Sequence, residues 1–327
     1  MTQFSLTLAR LRDWALLILC NAIWASQFVM VKLVQREMGP VFATFFPMAL
    51  ATLLLIPFVR HEQKTIALEN MGEATPFPDV LQFVLIGVMG QVVAQLFITW
   101  GTRLSLASNA ALLMLTLPIS TSVMAHFFLG ERMTKIRLLS FALALAGVIE
   151  CSGIDWKELD IASGRFLVGN LLIFLSVNGS AFYNAYSKRL LRRYSPLQVL
   201  LYSYYAVFVF MLPIALFMEP EGFRNLPHYG PVIWLGLAIL TVFQYGLSMV
   251  IFLNVLSRLD ATQVGLMNYL IPFFGIVIAA VVLHERLTLY MVLGGSLVLA
   301  STLLVTIYET FLKEGMNSHK DRTRPSA

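Results

Sequence analysis

A set of neutral polar side chains stands inside otherwise apolar sequence: Asn21, Trp24 and Gln27; Gln91 and Gln95; Asn109; Ser180, Tyr183 and Asn184; Gln244 and Tyr245; Asn268 and Tyr269. Amide groups offer donors and acceptors together, while phenol and indole rings offer a broad apolar face with one polar tip. Such a set suits recognition of a small zwitterionic or hydroxylated solute. The same residues can also serve as interhelical hydrogen bonds, each worth about 0.6 kcal/mol inside a membrane. Acid–base or nucleophilic catalysis would need Asp, His, Ser or Cys clustered at matching depth, and the chain shows no such cluster, so an intramembrane enzyme is disfavoured. His126 lies within an apolar run, one turn from its end, and is the one candidate for pH coupling. No phosphate-binding glycine loop and no His/Glu metal spacing occurs, so no ATP hydrolysis, catalytic residues, metal ligands or cofactors are expected. Cys20 and Cys151 form no spaced framework.

The elements that must carry these residues are set by composition. The 327 residues are 58% hydrophobic and 13% charged, with a mean hydropathy of +0.77. That charged share is about half that of a soluble domain. The apolar surface exceeds what one soluble core of this length could hide, so the lipid bilayer is the expected solvent. With roughly 20 apolar residues per crossing, ten helical spans are expected: 14–34, 40–59, 80–101, 105–128, 135–152, 166–187, 197–218, 231–256, 261–283 and 289–311. The run after Arg10 and Arg12 has no evident cleavage site and reads as a retained first helix. The fold class is therefore all-α and polytopic. The polar tail 312–327 reads as disordered.

The chain also repeats itself. Leu129-Gly130-Glu131-Arg132-Met133-Thr134 returns as Leu283-His284-Glu285-Arg286-Leu287-Thr288, 154 positions on. The same offset pairs Ala107 with Ala261, Pro118 with Pro272 and Ala125 with Ala279. An offset of 156 pairs Lys32, Pro40 and Pro57 with Lys188, Pro196 and Pro213. The expected organisation is a first five-helix repeat over 1–152, a connecting loop over 153–165 and a second repeat over 166–311. Five spans is an odd number, so the second repeat enters from the opposite side, the arrangement of transporters with a site between two inverted halves.

Within this frame Asn21, Trp24, Phe28 and Lys32 share one helix face, as do Ser180, Asn184 and Lys188. These stripes read as paired cavity walls, or as glue plus lysines reaching the interface, with the two lysines evenly divided between the readings. Pro118 and Pro272 would kink their helices and let them flex, and Pro272 would free a carbonyl near Asn268. Glu131 and Glu285 sit at helix ends, where a carboxylate would cap the helix that follows and pair across the turn with Arg132 and Arg286.

Sixteen of the 23 Lys and Arg residues fall in segments that share the side of the N-terminus, with Lys188–Arg193 the densest group. Basic residues favour the cytoplasmic side, so both termini are expected there, in a bacterial inner membrane. The net charge of +5 is a topology signal of this kind and does not imply a nucleic-acid partner.

Trp24-Ala25-Ser26-Gln27-Phe28-Val29-Met30-Val31-Lys32 resembles the first-helix motif of EamA-type transporters in the drug/metabolite transporter superfamily. Leu129–Thr134 resembles the turn joining that family's fourth and fifth helices, and Ala107–Pro118 resembles its Ala-rich fourth helix with a midspan proline. The likeness runs from about residue 14 to 308. Ala25, Gln27 and Pro47 depart from the Gly, Asn and Arg usual at these places, which leaves the substrate open. The resemblance implies a ten-helix bundle around a central cavity, small-metabolite substrates, amino-acid and metabolite export among its members, and nucleotide-sugar or sugar-phosphate exchange among distant relatives. The expected partners are thus a small-molecule substrate and lipid, with the protein a monomer or homodimer.

Overall fold

The computed structural model describes residues 3–69, 77–104, 113–114, 116–151, 167–271, 273–274 and 289–308. Among them every regular element is helical. In chain order these are α1 (Gln3–Val34), α2 (Pro40–Glu69), α3 (Phe77–Leu85, Ile86–Val92 and Val93–Leu104, end to end), α4 (Leu117–Leu129) and α5 (Lys135–Cys151). The second half holds α6 (Leu167–Leu190) and α7 (Pro196–Met218), the short helical pieces Pro220–Arg224 and Leu226–His228, and then α8 (Pro231–Ile239, Leu240–Leu247 and Ser248–Arg258), α9 (Ala261–Met267) and α10 (Leu289–Ile307). Four stretches are long and apolar enough to cross a membrane: Pro40–Lys64, Asp79–Gly101, Pro196–Met218 and Pro231–Arg258. Many large apolar side chains on their outer faces are exposed, Phe58, Leu81 and Val209 among them, as suits a protein solvated by lipid.

Two helices run longer than the apolar pattern alone required. α1 begins at Gln3, because nothing before Trp14 breaks a helix, so Arg10, Arg12 and Asp13 are helical. α2 continues beyond Val59 through His61-Glu62-Gln63-Lys64, good helix formers that propagate the apolar helix into polar sequence. Within the expected span 105–128, residues 113–114 are helical, Thr116 forms a turn and α4 runs from Leu117, while 105–112 and 115 lie outside the described residues. The 153–165 connection, the 312–327 tail, Asn109, Pro272, Glu285 and Arg286 lie outside the described residues.

The repeat is visible in how the helices pair. α1 packs on α8 as α6 packs on α3, while α2 pairs with α7 and α5 with α10. On the last pair, small residues allow backbone contact. A Cβ on Gly147 would stand 2.7 Å from the Gly294 carbonyl oxygen, and Ser301 Oγ donates to the Ser140 carbonyl at 2.7 Å. Ser140 and Gly294 are 154 positions apart, as are Gly147 and Ser301. Small residues that admit close approach are the usual currency of helix association in lipid.

The α2·α7 pair is clamped at both ends by carboxylates. Glu219, just past α7, accepts from the backbone N–H of Val41 (3.1 Å) and Phe42 (2.7 Å) and so caps α2. Glu62 accepts from Ser195 Oγ (2.6 Å), the N-cap of α7. The free N–H groups and positive dipole of a helix start favour such an anion.

Candidate functional site

Two of the long helices carry a π turn at equivalent positions. Ile86–Val92 in α3 and Leu240–Leu247 in α8 start 154 residues apart. Widening the helix to an i→i+5 ladder shifts the residues beyond it to a new face, and such turns occur often at functional sites. Gln91 lies in the first, Gln244 and Tyr245 in the second. Gly90 lets α6 approach the α3 turn: a Cβ there would be 2.9 Å from Tyr183 Cβ.

From these turns a chain of polar groups crosses the bundle. Trp24 Nε1 donates to Ser248 Oγ (2.9 Å), and Ser248 Oγ donates to the Gln244 carbonyl. The Gln244 amide donates to Gln27 Oε1 (2.6 Å), and Gln27 Nε2 lies 3.5 Å from Gln95 Oε1. Thr99 Oγ1 donates to the Gln95 carbonyl (2.7 Å) and stands 3.3 Å from Thr44 Oγ1. Four helices, α1, α2, α3 and α8, thus meet through neutral groups alone. Gln244 Oε1, at one end of the amide series, is buried without a partner.

A second group adjoins it. The buried Tyr183 hydroxyl faces Gln91, Ser187 and Ser203 without a bond of normal geometry to any of them. Tyr204 donates to the Tyr245 carbonyl at 2.9 Å, and the Tyr245 hydroxyl faces Gln27. A third group joins α4, α6 and α9. Asn184 Nδ2 lies 3.4 Å from Thr121 Oγ1, and Thr121 packs where a Cβ on Gly265 would fall, at 2.9 Å.

The expected site residues therefore divide. Gln27, Gln95, Gln244 and Tyr245 come together, as do Gln91 and Tyr183. Trp24, read as a cavity wall, uses its N–H on Ser248 and stacks at a tilt 5.2 Å from Phe252, so it joins α1 to α8. Asn21 is buried on the same helix. Its Nδ2 donates to the Leu17 carbonyl (2.8 Å) and its Oδ1 has no partner. Ser180 is half-buried and is linked to none of the others. Asn268 is buried with its Nδ2 unpartnered, and Tyr269 is buried with its ring 6.4 Å from Phe141.

Several expectations are revised by the structure. Pro118 is in the first turn of α4, where its missing N–H breaks no bond within that helix, and a turn at Thr116 separates it from helical residues 113–114. The Asn268 carbonyl is not free: it accepts from the Ile271 N–H at 3.1 Å, in a tight turn that follows α9. Glu131 does not cap the helix after it. It accepts from the N–H groups of Ala261 (2.7 Å) and Thr262 (3.0 Å) at the start of α9, while α5 is started by Thr134 Oγ1 accepting from Arg137 N (3.3 Å). Lys188 neither lines the polar chain nor reaches outward, because its amine donates to the Leu259 carbonyl. The side chains of Phe28 and Lys32 lie outside the described set.

The residues missed by sequence reading are Tyr204, Ser203, Thr121 and Thr241. All are buried, and Thr241 Oγ1 is unpartnered. Tyr204 and Ser203 sit in α7 within the hydroxyl run Tyr202-Ser203-Tyr204-Tyr205, the signal that could have found them. Beyond the bundle interior, Tyr194 donates to Asp79 Oδ2 at 2.6 Å. Burial and then that carboxylate push the Tyr194 phenol up to about 12.

The sequence model of the EamA-like transporter family matches this chain twice, at residues 13–151 and 167–307. A protein of Streptantibioticus cattleyicolor named "Probable terminal-alkyne amino-acid exporter" is 27% identical over 297 residues, 89% of this chain and 92% of that relative. An "Uncharacterized transporter" of Archaeoglobus fulgidus is 24% identical over 292 residues, 89% of this chain and 96% of its own length. A solved crystal structure of a chain 15% identical superposes with a TM-score of 0.72 over 91% of this chain and 98% of that one, a likeness of fold alone. The two matched stretches coincide with the two halves whose helices, π turns and small-residue contacts correspond, and the chain belongs to the EamA-like transporter family.

Proposed function

We propose that the chain is a secondary transporter that exports small organic metabolites, amino acids or close relatives of them, across a bacterial inner membrane. It works by alternating access. Ten spans in two inverted five-helix repeats expose one central site to each side in turn, with both termini in the cytoplasm. The observation that carries this reading is the amide series Gln244–Gln27–Gln95, contributed by α8, α1 and α3. Amides left with unsatisfied atoms, such as Gln244 Oε1, can accept an ammonium or donate to a carboxylate without carrying charge of their own. The named amino-acid exporter of Streptantibioticus cattleyicolor supports the solute class.

The alternative solute class is a sugar phosphate. It needs basic groups at the site, and Lys188, one of the two candidates, is engaged with the Leu259 carbonyl.

The test is thermal stabilisation of the purified protein by a panel of amino acids, sugar phosphates, nucleotides and cationic drugs. A solute at 100 times its Kd stabilises by about 2.7 kcal/mol. The expected result is a raised midpoint with zwitterionic solutes, lost in Gln244→Ala. A rise only with phosphorylated or cationic solutes contradicts the reading.

A further inference from the structure

Four helices converge on the corner that joins α8 to α9. Glu131, just past α4, caps Ala261 and Thr262 with both carboxylate oxygens. Arg137 of α5 is 2% exposed and ion-paired with Asp260. Lys188 of α6 donates to the Leu259 carbonyl. Asp13 of α1, 3% exposed, accepts from Arg258 Nε at 2.9 Å. Just behind the corner Thr121 of α4 is pressed onto Gly265 of α9. The charges are therefore spent on a segment of five residues, and side chains from α1, α4, α5 and α6 all grip it.

The other half would place an equivalent corner at the opposite end of the bundle. In sequence the Glu and Lys recur, as Glu285 and Lys32. The ion pairs do not. At an offset of 154, Leu106 stands for Asp260 and Met291 for Arg137, and at 156 Gly169 stands for Asp13, so Arg103, one position from the place of Arg258, meets neither acid in sequence. In a transporter with inverted repeats the two end states approximate mirror images, each closed at one end. A lock contributes only in the state that closes its own end. An ion pair present at one end and missing from the other therefore shifts the equilibrium toward the state that closes the charged end.

We propose that the Arg258–Thr262 corner is the inner gate in its closed state, and that Arg137–Asp260 and Asp13–Arg258, whose acidic members have no counterpart in the sequence of the other repeat, bias the resting protein toward opening at the outer end. This rests on the alternating-access reading above. Glu131 and Lys188 supply the part of the lock common to both ends, and the two ion pairs supply the difference.

The test is the rate at which a membrane-impermeant maleimide alkylates Thr121→Cys from the inner face. The protein is reconstituted in a Cys20→Ser/Cys151→Ser background. Asp260→Asn removes the charge while Asn remains a good N-cap for α9, and Glu131→Gln weakens the cap. Glu219→Gln is the matched control, since it weakens the same kind of carboxylate cap at the other end. The expected result is alkylation about ten-fold faster in Asp260→Asn and in Glu131→Gln, with Glu219→Gln as slow as the parent at a similar thermal midpoint. Equal rates in all four proteins, or equal acceleration in all three variants, would overturn the gate and leave these contacts as ordinary stabilisation. Solute uptake by the same vesicles separates the two readings. Transport with no change in alkylation defeats the gate alone. Accelerated alkylation in vesicles that move none of the solutes supports the gate and defeats the solute assignment.

Discussion

At the scale of single residues, the polar chain is only as strong as its middle member. Gln27 is bonded at both ends of its amide, to Gln244 and toward Gln95. Gln27→Leu would leave a donor and an acceptor without partners in the bundle, each costing about 1–3 kcal/mol in a buried setting. A loss of stability of about 1–2 kcal/mol is expected by thermal unfolding, together with loss of any solute-induced shift. Ser180→Ala should stay within about 0.5 kcal/mol of the parent, because Ser180 is half-buried and linked to none of the cluster. The glutamines were legible in the sequence, since an amide in a run of apolar residues has few inexpensive explanations. Trp24 was legible as important, but periodicity gives the face of a helix and not the Ser248 hydroxyl that it bonds, 224 positions away. Glu131 was misassigned for the same reason: its partners are 130 and 131 residues distant, and only the fold brings them to it.

At the scale of elements, the sequence held the apolar helices and their order but not the π turns. An i→i+5 ladder leaves no compositional mark, and the Gly90-Gln91 and Gln244-Tyr245 pairs that lie within the two turns do not resemble each other. The small residues at helix contacts are legible only as candidates until their neighbours are known. Gly147 meets the Gly294 carbonyl and the Val298 nitrogen, both backbone atoms that cannot turn aside. Gly147→Ala should therefore separate α5 from α10 at a cost of about 1–3 kcal/mol. Gly230→Ala, with nothing within 4 Å of its added carbon, should cost only the weaker capping of α8 by Ala, about 0.5–1 kcal/mol. The prolines show the limit of local rules. Pro57 and Pro213 lie inside α2 and α7 as expected of lipid-embedded helices, yet Pro118 starts α4 where the pattern had placed it at midspan.

At the scale of the whole molecule, the repeat was the most legible feature, and it survives as paired helices, paired π turns and the reciprocal carboxylate clamps on α2 and α7. Four contacts of segments expected on the inner side, Asp13 with Arg258, Glu131 with Ala261, Glu62 with Ser195 and Tyr194 with Asp79, join residues expected at the same end. Single cysteines at Arg192 and Arg224 should accordingly label from opposite faces of the membrane, Arg192→Cys from the cytoplasm and Arg224→Cys from outside. Labelling of both from one face would break the inverted topology. The central claim, that a neutral amide site carries a zwitterionic solute through this bundle, is tested most directly by counterflow of a radiolabelled neutral amino acid in proteoliposomes. The account predicts accumulation of label against unlabelled amino acid inside, reduced to the level of empty liposomes by Gln244→Ala while the variant remains folded. Accumulation that is indifferent to Gln244→Ala, or that occurs only with phosphorylated solutes, would contradict it.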